Sequence, residues 1–166
     1  MIKFNPVTPE LIAELKNICG ADNVLTDQDK LEQYKTDEEG NPKYHRVPEV
    51  VVLPATTEQV AEIVKLANKY LVPITPRSAG TSLSGGAIPV YHGIVLLMER
   101  MNKVIEINAD SLYMIVEAGV RTEDVQRLAQ ENNLLYAGDP CSADSCLIGG
   151  NIATNAGGNK AIRYGT

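Results

Sequence analysis

Eight of the thirteen glycines fall in two windows, three in residues 80–86 and five in residues 138–158, and this concentration constrains the fold more than any other feature. A glycine in ordered chain costs about 0.5–1 kcal/mol relative to alanine, so it is kept where the backbone takes a positive φ or comes close to another group. The first window lies in PRSAGTSLSGGA, residues 76–87, which carries three glycines and four hydroxyl side chains and suits neither helix nor strand. The second is GDPCSADSCLIGGNIATNAGG, residues 138–158. Both are expected to be loops that something approaches closely.

Regular elements are expected between and before them. Thr8, Pro9 and Glu10 form a helix start, Leu11, Ile12, Leu15 and Ile18 share one helical stripe, and Gly20 ends it. Residues 27–46 are polar without sustained period and read as a solvated excursion packed on a domain that starts near Val47, with the acidic residues Asp22, Asp27, Asp29, Asp37, Glu38 and Glu39 on a solvated face. From Val47 onward the pattern alternates. EVVVLPA, 49–55, is a β-branched run, and Thr56 with Gln59 has the capping-box spacing ahead of a helix with an apolar face of Val60, Ile63, Val64 and Ala67. Residues 72–75 read as a short strand leading into the first loop, 93–101 as another strand, and 104–119 as two strands around an Asn-Ala-Asp-Ser turn. Thr122 starts a helix reaching about Asn133. The expected class is α+β, with an N-terminal helical segment over 1–46 and one domain over 47–166.

Charge and composition exclude several functions. The chain is acidic, with a formal net charge of −6, and its basic residues are scattered, so the electrostatic footprint of a nucleic-acid binder is missing. No apolar run approaches the roughly 20 residues of a membrane span, and the first ten residues lack the apolar core of a secretory signal, so a cytoplasmic location is expected, compatible with peripheral membrane association. The three cysteines, Cys19, Cys141 and Cys146, are an odd set that agrees with a reducing compartment. Cys141 and Cys146 have half the spacing of an iron–sulfur motif, but Gly149 stands where a third cysteine belongs, so no metal site is expected.

The chemistry that suits the first window is anion binding. Consecutive backbone N–H groups in a glycine-rich turn converge on an anion, and Ser78, Thr81, Ser82 and Ser84 add hydroxyl donors. Arg77 is the only cation there, so neutral donors dominate. Gly80 and Gly85 have P-loop spacing, yet Gly86 and Ala87 replace the required Lys and Ser or Thr, and no Gly-x-Gly-x-x-Gly occurs. Loops that bind no ligand, and a module that senses a nucleotide without catalysis, remain open on these grounds.

Taken as a pair, PRSAGTSLSGGA and DPCSADSCLIGGNIATNAGG resemble the two FAD-contacting loops of the vanillyl-alcohol oxidase and p-cresol methylhydroxylase superfamily. The nearest branch is that of glycolate oxidase FAD subunits and D-lactate dehydrogenases, which VVLPATTEQVAEIVKLANKYLVPITPR also resembles. The resemblance covers about residues 47–166. It implies an FAD-binding domain of the p-cresol methylhydroxylase type, consisting of its first subdomain and the start of its second. It also implies that Pro76, Arg77, Ser78, Ala79, Gly80, Thr81 and Ser82 wrap the FAD pyrophosphate, with Gly85, Gly86 and Ala87 closing the turn. Pro140, Ser142, Cys146, Gly149, Gly150, Asn151 and Ala153 would run along the cofactor.

Further expectations follow from that likeness. Some relatives attach FAD through a first-loop histidine. Thr81 stands there, and the only histidines, His45 and His92, lie outside both motifs, so non-covalent FAD is expected, a thioether at Cys146 being the exception allowed by relatives with two attachments. The branch oxidises a small 2-hydroxy acid and passes electrons to a partner subunit, a quinone or another carrier. No general base is nominated; Tyr113 and Tyr164 are either near the flavin or interior. Since the family pattern continues past the final Tyr-Gly, the chain is expected to be an N-terminal piece of a longer enzyme, inactive alone. An FAD-dependent enolpyruvyl-sugar-nucleotide reductase is the alternative within the superfamily.

Overall fold

The computed structural model describes residues 3–166, and the chain divides into two compact units, residues 3–100 and 101–166. Each is described by itself.

In the first unit, local signals set the elements. Helix α1 (Pro9–Cys19) is capped by the Thr8 side chain, which accepts the Leu11 N–H, and ends at Gly20. Strand β1 (Val24–Leu25) and the short helix α2 (Gln28–Leu31) follow. Strand β2 (Val50–Val52) precedes helix α3 (Thr57–Tyr70), whose cap Thr56 accepts the Gln59 N–H. The Gln59 side chain completes the cap by accepting from Ala55 N–H at 2.7 Å, and its amide donates to Ile18 O at 2.8 Å, joining α3 to the end of α1. Strands β3 (Ile74–Arg77) and β4 (Ile94–Leu97) complete a sheet of order β1-β2-β4-β3, in which β1 is antiparallel and the other pairs are parallel.

Strands β2 and β4 are buried along their whole length, as expected for central parallel strands covered on both faces. On one face Val50, Val52, Ile94 and Leu96 pack with Leu11 and Leu15 of α1 and Ile63 and Ala67 of α3. On the other, Val51, Val95 and Leu97 pack with Leu31, Leu25, Tyr34 and Val47. Residues 27–46 thus pack on the domain as expected, but Leu31, 2% exposed, and Asp37, 8% exposed, correct the reading of this stretch as solvated and of Asp37 as part of a solvated face. Two apolar anchors, Leu31 and Tyr34, suffice to fasten a segment whose remaining side chains are polar, and two residues establish no period.

In the second unit, β5 (Val104–Asn108) and β6 (Tyr113–Val116) form an antiparallel hairpin with an irregularity between Val104 and Glu106. Helix α4 (Thr122–Glu131), helix α5 (Ile148–Thr154) and the short α6 (Ala161–Tyr164) follow. Val120, Val125 and Ile148 make a small core with Met114, Val116 and Tyr136 against it. Tyr113 and Tyr164 are exposed rather than interior, and the Tyr113 hydroxyl donates to Glu106 at 2.6 Å. Among the described residues no helix is long and apolar enough to cross a membrane.

Candidate functional site

The first glycine window follows β3 directly, where the parallel strands end. Because a strand fixes Arg77 and the chain must leave the sheet there, residues 78–87 form an irregular loop whose first five residues are half-buried. Among the described residues, none of the six amides from Ser78 to Leu83 is bonded to a protein acceptor. Half-buried amides without partners cost free energy unless water or a ligand accepts from them, since nearly all buried backbone donors in folded proteins are paired. A row of such donors fits a phosphate or diphosphate.

The loop is tied at other points. Ser84 N–H donates to Ser82 Oγ at 3.1 Å, Ile88 N–H to Gly85 O at 3.2 Å, and Glu38 N–H to Ser82 O at 3.0 Å. Gly80 and Gly85 have φ of +76° and +72°, a region that favours glycine, whereas a Cβ on Gly86 would meet nothing within 4 Å. Arg77 is 8% exposed, and its guanidinium donates to Thr36 O at 2.7 Å and Ala87 O at 3.4 Å. Burial pushes its pKa down, while Asp37, Tyr34 and Glu99 oppose that shift. The only cation of the window is therefore engaged by main-chain carbonyls. Pro76 is exposed on β3, Ser78, Ala79, Thr81 and Ser82 are half-buried, and Ala87 is buried.

The second window differs from the loop expected. Residues 148–154 form α5, so Gly149, Gly150, Asn151 and Ala153 are helical. Gly149 is needed for packing: a Cβ there would lie 2.9 Å from Ala118 Cβ and 3.0 Å from Ala118 O, and its N–H donates to Ala118 O at 2.9 Å. The close approach inferred from this glycine is made by the chain itself. Glycine composition hides the helix because helix propensity is low there, and tertiary contact with residues 118–122 overrides it.

Cys146 and Asn151 are buried together with Thr122. Cys146 O accepts from Thr122 N–H at 3.1 Å, Cys146 Sγ lies 3.1 Å from Thr122 Oγ1, and Asn151 donates to the same hydroxyl at 2.5 Å. Ser142 O accepts from Cys146 N–H at 2.7 Å, closing a turn that leaves Pro140, Ser142 and Gly150 half-exposed and Ala153 and Cys141 exposed. Gly158, at φ +106°, lies so close to Asp139 O that any Cβ would collide with backbone. A cavity of about 370 Å³ lies between α4 and this turn, bordered by Glu123, Asp139, Asp144, Pro140 and Cys141, and its carboxylates disfavour a phosphate. No group of His, Cys, Asp and Glu suited to a metal occurs among the described residues.

Sequence reasoning missed Thr36, Asp37 and Glu38 beside the first loop, and Thr122 beneath the second. The first three sit in an aperiodic polar stretch that offers no signal. Thr122 reads as a helix start, which it is, without revealing its buried hydroxyl.

A family model described as "FAD binding domain" matches residues 48–166. The chain is 37% identical over 163 residues to a D-lactate dehydrogenase of Anaerostipes hadrus, covering 98% of this chain and 34% of that protein. It is 38% identical over 158 residues to the glycolate oxidase subunit GlcD of Escherichia coli (strain K12), covering 95% of this chain and 31% of that one. Among solved structures it resembles p-cresol methylhydroxylase with substrate bound, at 32% identity and a TM-score of 0.68 over 80% of this chain and 27% of that chain. The chain thus spans about a third of the length of the curated relatives it matches.

Proposed function

Because the chain belongs to the FAD binding domain family over residues 48–166, we propose that it is the cofactor-holding part of an FAD-dependent 2-hydroxy-acid dehydrogenase or oxidase of the glycolate or D-lactate type. The observation that carries this reading is the half-buried row of residues from Ser78 to Ser82 whose amides have no protein acceptor, which suits the diphosphate of FAD. Bound FAD would supply the redox chemistry, hydride acceptance in the oxidation of the hydroxy acid. The chain's own residues bind and orient. Ser78, Ala79, Gly80, Thr81 and Ser82 present donors to the diphosphate, and Gly85 and Gly86 let the backbone turn beside it.

The attachment is non-covalent in this reading. His92 lies at the opposite end of β4 from the strand ends that carry the loop, with its Nδ1 2.8 Å from Val47 O, and Cys146 keeps its sulfur buried against Thr122. The hydroxy acid and the electron acceptor, a partner subunit or a quinone, are met by the whole protein.

An absorption spectrum of the purified full-length protein tests the reading. Flavin bands are expected, bleached by glycolate or D-lactate, and acid precipitation should leave the yellow colour in the supernatant. A protein that takes up no FAD on titration would overturn the assignment; colour retained in the pellet would overturn only the non-covalent part.

A further inference from the structure

We propose that Arg77 is a positioning residue, an internal strut that holds the loop of residues 78–87 ready for an anion while touching no ligand itself. The ligand's identity as FAD rests on the function proposed above; the strut rests on geometry alone.

One guanidinium reaches four places. It donates to Thr36 O, upstream of the residues that match the family model, and to Ala87 O at the far end of the loop. It fills the space beneath Gly80, where an added Cβ would meet Nη2, Cζ and Nε at 2.1, 2.5 and 2.9 Å. It also sits 5.7 Å from the centre of the Tyr34 ring. Start, middle and end of the loop are therefore pinned to one planar group, and Glu38 N–H adds a fourth tie at Ser82 O.

A buried cation needs compensation. Carbonyl acceptors supply part of it, and Asp37 supplies charge: it is 8% exposed, and its Oδ2 is buried with no hydrogen-bond partner among the described residues. That carboxylate oxygen acts through its field rather than through a bond. With Arg77 engaged in this way, a phosphate meets neutral amides in front and a positive charge behind. Both carbonyls accept from Nη1, while Nη2, Cζ and Nε fill the space under Gly80, so lysine cannot substitute: a compact ammonium can reach the carbonyls but leaves that space empty. A loop organised before the ligand arrives avoids an ordering cost on binding.

The test uses the full-length protein carrying Arg77→Lys, Arg77→Met, Gly80→Ala and the double substitutions Gly80→Ala/Arg77→Met and Gly80→Ala/Arg77→Lys. Flavin-free samples are compared by thermal midpoint and by limited proteolysis within residues 78–87, and FAD affinity is measured by titration. Both Arg77 variants and Gly80→Ala should lower the flavin-free midpoint, expose the loop to cleavage and weaken FAD by at least about ten-fold. Gly80→Ala should cost less when Arg77 is already Met, because the clash is with the guanidinium; if Arg77→Met is insoluble, the pairing with Arg77→Lys is read instead. Arg77 variants that leave the flavin-free midpoint and cleavage unchanged while FAD affinity falls would assign Arg77 to the ligand and overturn the strut. If wild type binds no FAD yet the Arg77 variants still loosen the flavin-free loop, the strut stands and the flavin reading fails.

Discussion

Asn151 donates its side-chain amide to Thr122 Oγ1 at 2.5 Å, joining α5 to the first residue of α4 across 29 positions. The same hydroxyl lies beside Cys146 Sγ and reaches Cys146 O at 3.3 Å, and all three residues are buried. Thr122 is thus the polar centre on which the second glycine window is built.

Thr122→Val keeps the shape and removes the acceptor, leaving the Asn151 amide buried and unpaired, at a cost of about 1–3 kcal/mol. Thr122→Ser should recover most of the loss. Urea unfolding of the full-length protein checks both, and a Val variant as stable as wild type would remove Thr122 from this role.

Gly149→Ala is expected to destabilise by about 1–3 kcal/mol, because the new methyl meets the Ala118 backbone and side chain, neither of which can swing aside. A shift of that size in the thermal midpoint, with protein that still folds, is the expected result.

Gly86→Ala separates folding from binding. Nothing lies within 4 Å of the added Cβ, so the flavin-free midpoint should stay near wild type. If the cofactor passes close to this backbone, FAD affinity falls by several-fold; unchanged affinity would place the cofactor elsewhere along the loop.

Acid should loosen the chain around Asp139. The Lys160 ammonium, at 3.1 Å, and then Gln126 hold the Asp139 carboxyl below its ordinary value. A carboxyl lowered by folding gives stability that is complete above its unfolded pKa and is lost as pH falls through the folded one. Protection of residues 138–160 against hydrogen exchange, taken relative to the intrinsic rate at each pH, should therefore fall below about pH 4, and Asp139→Asn should abolish that loss of protection with acid.

Much of the architecture was legible because its signals are local. Thr8 and Thr56 cap the helices they were expected to cap, and the β-branched run at 49–55 and the apolar run at 93–101 contain β2 and β4. The first glycine window is a loop, as its composition required. The helix within 148–154 and the burial of Leu31 within residues 27–46 were not legible, since each depends on contact with residues far along the chain: Ala118 and Thr122 for the one, Val51, Val95 and Leu97 for the other.

By itself, the amino-acid sequence determined where the backbone would be free to turn and which residue types could face an anion there, because glycine conformations, caps and apolar runs are properties of neighbouring residues. Only the tertiary structure decided what occupies the space each glycine leaves: a guanidinium beneath Gly80, the Ala118 backbone beside Gly149, open space at Gly86. That choice lies in long-range packing, where a missing Cβ is equally useful to a ligand and to the chain's own atoms.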